Sequence, residues 1–504
     1  MPWLALPEEL ILKALDYLDI RDLLALRLAC HQLRTSIGAS VELQCRLELA
    51  ACGLREGLAS RTVTSADRLQ RIQAHDSAWR ELPWTEVLQS EYPVSRRISN
   101  CIVTVSNNVV ARQDSLDPLG TLSVKQLPSV LRGVETRFWE VHVNCCVDEL
   151  TVDASQDLMI VSTRMTTPLY AIVRSLSTGD VHPECMWSGR INFPGLAVGE
   201  TKLCGDFVGT NLYNPEILGH LSIWNWKTGV QLVYSMLSYT PVPSFEFPRF
   251  SFVDSSHILT MFCEQPDAPE VPAQLSLRLY DLSRVGADLE LTGALVGSYA
   301  LPQLASHGEP FFYENRSSPP ASSSSEQGIF YPDRSKRLLG LGIQSDGDCF
   351  VVVFAPDIFL CDGPWTAGGH GTVPWDSWAS SGVHFARVSE PRLRSFVMHG
   401  MRTVEYDEEV KELIISDYDA HRVRRAITAS GTPEGGEAGT HSVIFEEETE
   451  TGYGLIKTSL PRLVRRKARE IVLKRYVSRV DLCDDGVLLI EDGPHRIRTI
   501  SLAL

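Results

Sequence analysis

The chain has 504 residues, 44% hydrophobic and 22% charged, so it is long enough for several folded units and too apolar to be disordered throughout. Its 63 acidic residues outnumber its 47 basic ones, and the net charge of -16 argues against general binding to nucleic acid. The twelve cysteines form no C-x-x-C pair, so we expect reduced thiols in the cytosol or the nucleus. The first residues lack a basic segment followed by a long apolar run, and no stretch is apolar enough to span a membrane, so neither a secretion signal nor a membrane contact is predicted.

Residues 3–84 are rich in leucine and poor in β-branched residues, which predicts helices. Pro7 is expected at the first position of a helix, where its missing N–H group is not needed. The apolar stripe from Leu23 to Ile37 predicts one continuous second helix. Polar residues suited to helix starts, and glycines suited to helix ends, divide the remaining segment into further helices: Asp19, Ser40 and Ser65 for the starts, Gly38 and Gly53 for the ends.

The first three predicted helices carry more leucine side chains than one small core can bury. One interpretation is that some of these side chains are exposed and bind a partner protein. The other is that they pack on the domain that follows. The apolar pattern alone does not separate the two.

The same segment contains three stretches in a characteristic order, Leu6-Pro7-Glu8-Glu9-Leu10, Tyr17-Leu18-Asp19 and Arg21-Asp22-Leu23-Leu24. In this order and register they resemble the pattern of the F-box family. Leu33 stands where many F-boxes have tryptophan. The resemblance covers about residues 3–50 and implies that the helices bind the small Skp-type adaptor of an SCF (Skp, cullin, F-box) ubiquitin ligase. The implied adaptor-binding residues are Leu6, Pro7, Leu10, Ile11, Leu15, Leu18, Leu23 and Leu24.

From about residue 98 the pattern changes to short apolar runs separated by Gly, Pro, Asp and Ser, which predicts β-strands and turns. A strand–acidic turn–strand unit is clearest from Leu150 to Val161. Similar turns recur near Asp206, at 253–256, 345–348, 407–409 and 484–486. Several units continue to a third strand that ends in a turn, as in Ile223 to Gly229.

The unit length is close to the ~40–50 residues of a propeller blade, with insertions. The body therefore looks like a degenerate WD-type, mostly antiparallel β-propeller of six to eight blades, with seven favoured and the residues 98–145 as the seventh unit. Trp224 is followed by Asn225 where a WD repeat has Asp, and the Gly-His start is missing. A pair of β-sandwiches is the alternative fold. The predicted domains are an F-box at 3–50, a helical linker at 51–97 and the propeller-like, substrate-recognition domain at 98–504.

The whole arrangement is similar to a group of fungal F-box proteins. The likeness runs from residue 4 to at least 284 and includes the helical stretch from Asp67 to Trp79, the turn from Val152 to Asp157 and the turn from Trp224 to Gly229. Two stretches are predicted to be loops, at 315–328, which is rich in Ser and Pro, and at 430–440, which is rich in Gly.

A basic run stands out in the acidic chain: Arg462, Arg465, Arg466, Lys467, Arg469, Lys474 and Arg475. It is interpreted either as a solvated helix or strand edge, or as a site for an acidic or phosphorylated partner.

The sequence contains no recognisable catalytic or metal-binding motif. It has no H-x-x-x-H pair and no G-x-S-x-G sequence, so no cofactor, no metal and no catalytic residue is predicted. We therefore expect a non-catalytic subunit that holds a protein substrate for ubiquitylation. The alternatives are a propeller enzyme or ligand-binding protein whose helical head is only a cap, and an F-box scaffold outside a ligase.

Overall fold

The computed structural model describes most of the chain. The described residues are 6–82, 85–93, 102–113, 120–145, 147–163, 169–193, 197–214, 218–237, 249–264, 274–303, 309–313, 315, 328–345, 348–360, 371–379, 382–430, 441–444, 446–451, 454–468, 477–492 and 496–503.

Four helices form the amino-terminal head: α1 (Glu8–Leu15), α2 (Ile20–Ala29), α3 (His31–Ala39) and α4 (Val41–Ala51). The predicted starts at Asp19 and Ser40 are confirmed, since Oδ1 of Asp19 accepts from the N–H of Asp22 at 2.7 Å and Oγ of Ser40 from that of Leu43 at 3.4 Å. Pro7 lies one residue outside α1, as its N-cap, and not at the first helical position.

The predicted single helix from Leu23 to Ile37 is wrong, because the chain is extended at Cys30, with φ -157° and ψ 161°. The break separates α2 from α3 and lets Leu23 from α2 and Leu33 and Ile37 from α3 pack in one core with residues of α1 and α4. Burial of both segments in one small core outweighs the continuous apolar pattern, which contains no Gly or Pro at this point.

After the head come β1 (Leu54–Glu56), α5 (Ser65–Glu81) and β2 (Thr85–Pro93). Gly53, predicted to end the preceding helix, has φ +63°, a conformation that glycine adopts without strain. The predicted helical linker of 51–97 is helical only in part, because Thr85–Pro93 is a strand that pairs with the last strand of the chain. We name the residues 6–82 "the head" and the β-rich remainder "the body".

The described strands of the body form seven sheets of four or five strands, which follow one another along the chain. The first three sheets are β3–β6 (Val103–Ser106, Val109–Gln113, Thr121–Gln126, Arg137–His142), β7–β10 (Glu149–Asp153, Leu158–Thr163, Tyr170–Ser175, Arg190–Asn192) and β11–β14 (Ala197–Cys204, Phe207–Asn214, Leu218–Asn225, Gln231–Met236).

The fourth sheet consists of β15–β18 (Phe250–Phe252, His257–Glu264, Gln274–Asp281, Leu295–Ala300), joined by β23 (Thr372–Val373). The fifth consists of β19, β21, β22 and β24 (Glu309–Tyr313, Leu339–Ser345, Asp348–Phe354, Val383–Val388), and its connections carry β20 (Phe330–Pro332), α6 (Asp357–Leu360) and α7 (Trp375–Trp378). Strand β20 is not part of a sheet of the body; it pairs with β1 of the head.

A short helix, α8 (Glu390–Ser395), leads to the sixth sheet, which consists of β25–β28 and β31 (Val397–His399, Arg402–Asp407, Glu412–Asp417, His441–Ile444, Arg462–Ala468), with α9 (Ala420–Ser430) and the hairpin β29–β30 (Glu447–Thr451, Gly454–Thr458) inserted in it. The seventh consists of β32–β34 (Val477–Cys483, Gly486–Asp492, Arg496–Ala503) with β2 as its outer strand.

The sheets close into a ring, which makes the body a β-propeller. Apolar side chains of each sheet pack on the next: those of the fourth on the fifth, of the fifth on the sixth and of the sixth on the seventh. Val105 of the first sheet packs with Leu488 of the seventh, so the first and last sheets are neighbours. The propeller prediction is confirmed, and the described strands of the predicted segment 98–145 form a sheet of their own within residues 103–142.

The predicted turns exist, but some of them join a different pair of strands than the repeat predicted. The turns near Asp206 and at 253–256 and 484–486 join the first and second strands of their sheets. Those at 345–348 and 407–409 lie between the second and third strands, because long connections in the fifth and sixth sheets shift the pattern. The turns between first and second strands lie on one face of the propeller, which we call the head face.

Candidate functional site

The head exposes apolar side chains that its own core does not cover. Leu6 is 45% exposed and Leu10 52%, Tyr17 is 84% exposed, and Leu24 and Leu28 are 38% and 87% exposed. They belong to α1, α2 and the segments that precede and join these helices. Five exposed apolar side chains within 23 residues of one small helical segment are typical of a protein-binding region. We call these five residues the apolar surface of the head.

The eight residues that the sequence assigned to adaptor binding differ in their exposure to solvent. Leu6, Pro7, Leu10 and Leu24 are exposed, and Leu18 is half-buried. Ile11, Leu15 and Leu23 are at most 2% exposed and form the core behind the surface. Contact between these residues and an adaptor stays a prediction; the buried three support the exposed ones.

Sequence reasoning missed Tyr17 and Leu28, the two most exposed members of the apolar surface. Tyr17 lies within the quoted Tyr-Leu-Asp stretch, so its position was visible. The sequence did not predict which leucine of α2 is exposed, because the helix has apolar residues on more than one side.

Arg46 of α4 fixes the turn that presents Tyr17. Its guanidinium donates to the carbonyl oxygens of Asp16 at 2.9 Å and of Leu18 at 2.6 Å, with that of Leu15 at 3.5 Å. One side chain thus supplies donors to the carbonyl groups of the turn that follows α1.

Replacing Arg46 with methionine is expected to loosen this turn, because the carbonyl groups lose a charged donor worth about 1.5–3 kcal/mol per hydrogen bond. Amide hydrogens of residues 16–19 should exchange faster with solvent, as measured by mass spectrometry, while those of α5 keep their rates. Arg34→Met, at an exposed position of α3, serves as the control. Unchanged exchange at 16–19 would contradict the role given to Arg46.

The head is joined to the propeller by apolar contacts. Strand β1 pairs with β20, and Ile329 and Phe330 from the body pack against Cys45, Leu54 and Ile72 of the head. Phe330 is 1% exposed, and its ring lies edge-on to that of His75, with the centroids 5.4 Å apart. A segment inserted in the fifth sheet is therefore part of the core of the head.

Buried charges from the seventh and first sheets meet the head at the same interface. Asp485 accepts hydrogen bonds from Asn108 at 2.7 Å and Arg132 at 2.7 Å, and its other oxygen lies 3.0 Å from Nε2 of His75 in α5. The neighbouring Asp484 contacts Arg132 at 3.1 Å and His399 at 2.7 Å. Burial acts to raise the pKa of both carboxyl groups, but the charge of Arg132 and the histidine contacts hold both values below the usual range.

A second charged cluster joins α4 and α5 to α9 of the sixth sheet. Arg425 contacts Glu48 at 2.9 Å and Asp76 at 3.2 Å, and Arg422 binds Asp417 at 2.8 Å. The guanidinium of Arg402 lies 4.1 Å from the centre of the Trp79 ring. Contacts from the fifth, sixth, seventh and first sheets therefore hold the head in one orientation on the head face.

The basic run is only partly a surface feature. Arg462 and Arg465 are buried, Arg462 contacts Glu447 at 2.6 Å, and burial lowers the pKa of Arg465 to about 10. Arg466 is exposed. The side chains of Lys467, Arg469, Lys474 and Arg475 lie outside the described residues, as do most of the predicted loops 315–328 and 430–440. The ion pair with Glu447 accounts for Arg462 without a partner protein, and Arg465 is buried in the same strand and so is not part of the surface.

Metal-binding groups and membrane-spanning helices are both absent from the part of the chain that the structure describes. Within it, three or more His, Cys, Asp or Glu side chains nowhere form a group suited to a metal ion. Within the same residues, no helix combines the length and apolar character needed to cross a bilayer.

Comparison with known families finds the F-box domain at residues 3–40. The chain thus carries an F-box followed by a β-propeller. No curated protein matches the sequence. The fungal likeness stays a prediction.

Solved propellers match over most of the chain at low identity. The WD40 domain of coronin from Toxoplasma gondii has 8% identity, a TM-score of 0.37 and coverage of 83% of this chain and 87% of its own. The β-propeller domain of the Trilobed protease from Pyrococcus furiosus has 7% identity, a TM-score of 0.38 and coverage of 79% and 95%. The WD40 domain of SCAP from fission yeast has 9% identity, a TM-score of 0.30 and coverage of 82% and 98%.

Proposed function

We propose that this chain is the substrate-recognition subunit of an SCF-type ubiquitin ligase. The F-box at residues 3–40 binds a Skp-type adaptor and, through it, a cullin; the propeller binds a protein substrate. The observation that carries the proposal is the apolar surface of the head, which lies within this F-box and is not covered by the propeller. Cytosol and nucleus are the compartments in which such a ligase subunit works.

The proposed mechanism needs no catalytic residue in this chain. A substrate held by the propeller stays close to the ligase, so the effective concentration of its lysines near the ubiquitin-transferring enzyme is raised. The buried charges between head and propeller support this mechanism, because a fixed orientation keeps the distance between the two sites constant. A freely moving head would spread the substrate over many positions.

In this proposal the adaptor contacts the exposed residues directly. Leu6, Pro7, Leu10 and Leu24 supply the predicted contacts, and Tyr17 and Leu28 extend them. Helices that lay apolar side chains into a groove of a partner use this kind of surface. Leu15 is 1% exposed, so a charged replacement there would unfold the head and could not test binding.

The test is co-expression of the full chain with a Skp-type adaptor. We expect a stable complex with the natural chain and at least a hundredfold loss of affinity in the double variant Leu10→Asp, Leu28→Asp, because each carboxylate would be buried against the adaptor without a partner. Val410→Asp, 58% exposed in a turn of the sixth sheet, is the matched control and should bind normally. The readouts are size-exclusion chromatography and calorimetry.

A chain that is soluble and folded but does not bind the adaptor would refute the proposal. The head would then be only a cap on the propeller. If the chain binds the adaptor but no ubiquitin is transferred to any protein held by the propeller, the result would favour the alternative of an F-box scaffold outside a ligase. An assay of transfer by the reconstituted ligase separates these outcomes.

A further inference from the structure

The hairpin β29–β30 lies against the outer edge of the fifth sheet, whose last strand is β24. Oγ1 of Thr458 accepts from the N–H of Phe385 at 3.2 Å, and Oγ1 of Thr449 donates to the carbonyl oxygen of Phe385 at 2.9 Å. The N–H of Leu460, just after the hairpin, donates to the carbonyl oxygen of Val383 at 3.1 Å. These contacts satisfy edge groups that a neighbouring strand would otherwise pair.

Few apolar contacts hold the hairpin in place. Its two strands contain only two apolar side chains, Leu455 and Ile456. Leu455 is 56% exposed, and Ile456 is partly buried against the core between the fourth and fifth sheets. An isolated two-stranded hairpin is marginally stable at best in water. The position of the hairpin therefore depends on polar contacts with the sheet, which is typical of segments that open locally.

Glu447 is the charged anchor of the hairpin. It lies opposite Thr458, and its carboxylate contacts Nη2 of Arg462 at 2.6 Å. The same carboxylate oxygen lies 2.8 Å from Nε2 of His384. His384 belongs to β24 and Arg462 to β31, and both side chains are buried. One carboxylate of the hairpin thus contacts the fifth and the sixth sheets.

The contacts of His384 fit a neutral imidazole ring. Its Nε2 faces the ionised carboxylate of Glu447, which can only accept, so this nitrogen carries the proton. Its Nδ1 lies 2.8 Å from the hydroxyl group of Tyr418, which accepts from Thr403 and donates to Nδ1. A second proton on the ring would face the proton of this hydroxyl group.

The surroundings of His384 also oppose a positive charge on its ring. The neighbouring strand β22 places an apolar residue opposite it. Burial and the charge of Arg462 lower the pKa of His384 to about 4, from an ordinary value of 6.5, although Glu447 acts in the opposite direction. Burial acts to raise the pKa of Glu447, but His384 and Arg462 hold it well below the usual range. The next charged groups, Arg392 and Glu405, are paired at 2.6 Å.

We propose that the hairpin β29–β30 is an acid-sensitive strap, which opens from the edge of the fifth sheet when His384 gains a proton. In the closed strap His384 is buried and neutral, whereas in the open strap water reaches its ring. The closed state is therefore fully stable above pH 6.5 and loses stability as the pH falls toward 4. Glu447 stays ionised between pH 7 and pH 5, so His384 is the member of this cluster that titrates. The strap lies outside the head, so the proposal holds whether or not the head binds an adaptor.

The experiment compares amide hydrogen exchange of the full chain at pH 7 and pH 5, measured by mass spectrometry and corrected for the intrinsic effect of pH on exchange. We expect the amides of residues 447–458 and 383–387 to exchange about tenfold faster at pH 5, because the open state binds a proton that the closed state does not. Amides of β8, in the second sheet, should keep their corrected rates. In His384→Gln the side chain cannot gain a proton, so exchange at 447–458 should be the same at both pH values.

His257→Gln, at a half-buried histidine beside Asp254 in the fourth sheet, is the matched control and should keep the natural response to pH. Glu447→Gln removes the charged anchor, so its strap should exchange faster already at pH 7; this variant decides the test if His384→Gln does not fold. The proposal is overturned if exchange at 447–458 in the natural chain is the same at pH 7 and pH 5. It is overturned equally if His384→Gln keeps the natural response, or if Glu447→Gln exchanges at the natural rate.

Discussion

Replacing Arg132 with methionine is expected to lower the free energy of unfolding by about 3–5 kcal/mol, the cost of breaking a buried ion pair. Arg132 is 3% exposed and is the cation shared by Asp484 and Asp485, two adjacent buried carboxylates. Without it, these two negative charges would lose the cation that contacts both of them, and the contacts with histidine and asparagine and the more distant charge of Arg334 would remain. Urea unfolding of the full chain, followed by tryptophan fluorescence, measures the change.

The pH dependence distinguishes this explanation from a simple loss of packing. Because Arg132 lowers the pKa of both carboxyl groups in the folded chain, their contribution to stability is complete above the unfolded value of 3.8 and is lost as the pH falls below it. The difference between Arg132→Met and the natural chain should therefore narrow below about pH 4. Arg284→Met, at an exposed ion pair, should change stability by less than about 0.5 kcal/mol. A constant difference at all pH values would contradict the electrostatic role.

Replacing Phe330 with alanine is expected to cost about 3–5 kcal/mol, the usual range for a buried phenylalanine. Its ring lies in the cluster that joins β20 to the head, so the cavity would open at the junction of the two parts. We expect the head to unfold at a lower urea concentration than the propeller, and to do so in a separate transition. The natural chain should show the two transitions closer together.

Phe138→Ala is the matched control, because Phe138 is 63% exposed on a strand of the first sheet. Both variants remove the same atoms, but only Phe330→Ala leaves a cavity. Far-UV circular dichroism reports mainly the helices of the head, and exchange of amide hydrogens in α5 locates the transition. Equal stabilities of the two variants would show that Phe330 does not join the parts.

Local signals in the sequence were reliable only in part, because Thr64 and not Ser65 caps α5, and Gly38 lies inside α3 and does not end it. Asp19 and Ser40 open helices because their side chains reach N–H groups three residues away. The turn after Asp153 forms because its carboxylate accepts from the N–H of Ser155 at 3.0 Å. The propeller could be inferred because such turns recur at blade length.

What the sequence did not reveal depends on distant partners. Thr85–Pro93 is a strand only because it pairs with Arg496–Ala503, and its own residues are not strongly apolar. The exposure of Leu28 and the burial of Leu15 follow from how α1, α2 and α4 pack, which helical spacing alone does not fix. Likewise the buried cluster around Asp485 combines His75, Asn108 and Arg132, which lie far apart in the chain.

The seventh sheet pairs an early strand of the chain with a late one, and this affects how the protein folds during its synthesis on the ribosome. Strand β2 leaves the tunnel early, but the strand that pairs with it is the last of the described strands to be made. Until then β2 has an open edge, and the seventh and first sheets cannot meet. Until that strand is made, the nascent chain has an incomplete ring, a state in which chaperones have sites to bind. Ring closure, and with it the buried contacts of Asp485 with the head, therefore has to wait until Arg496–Ala503 has been made.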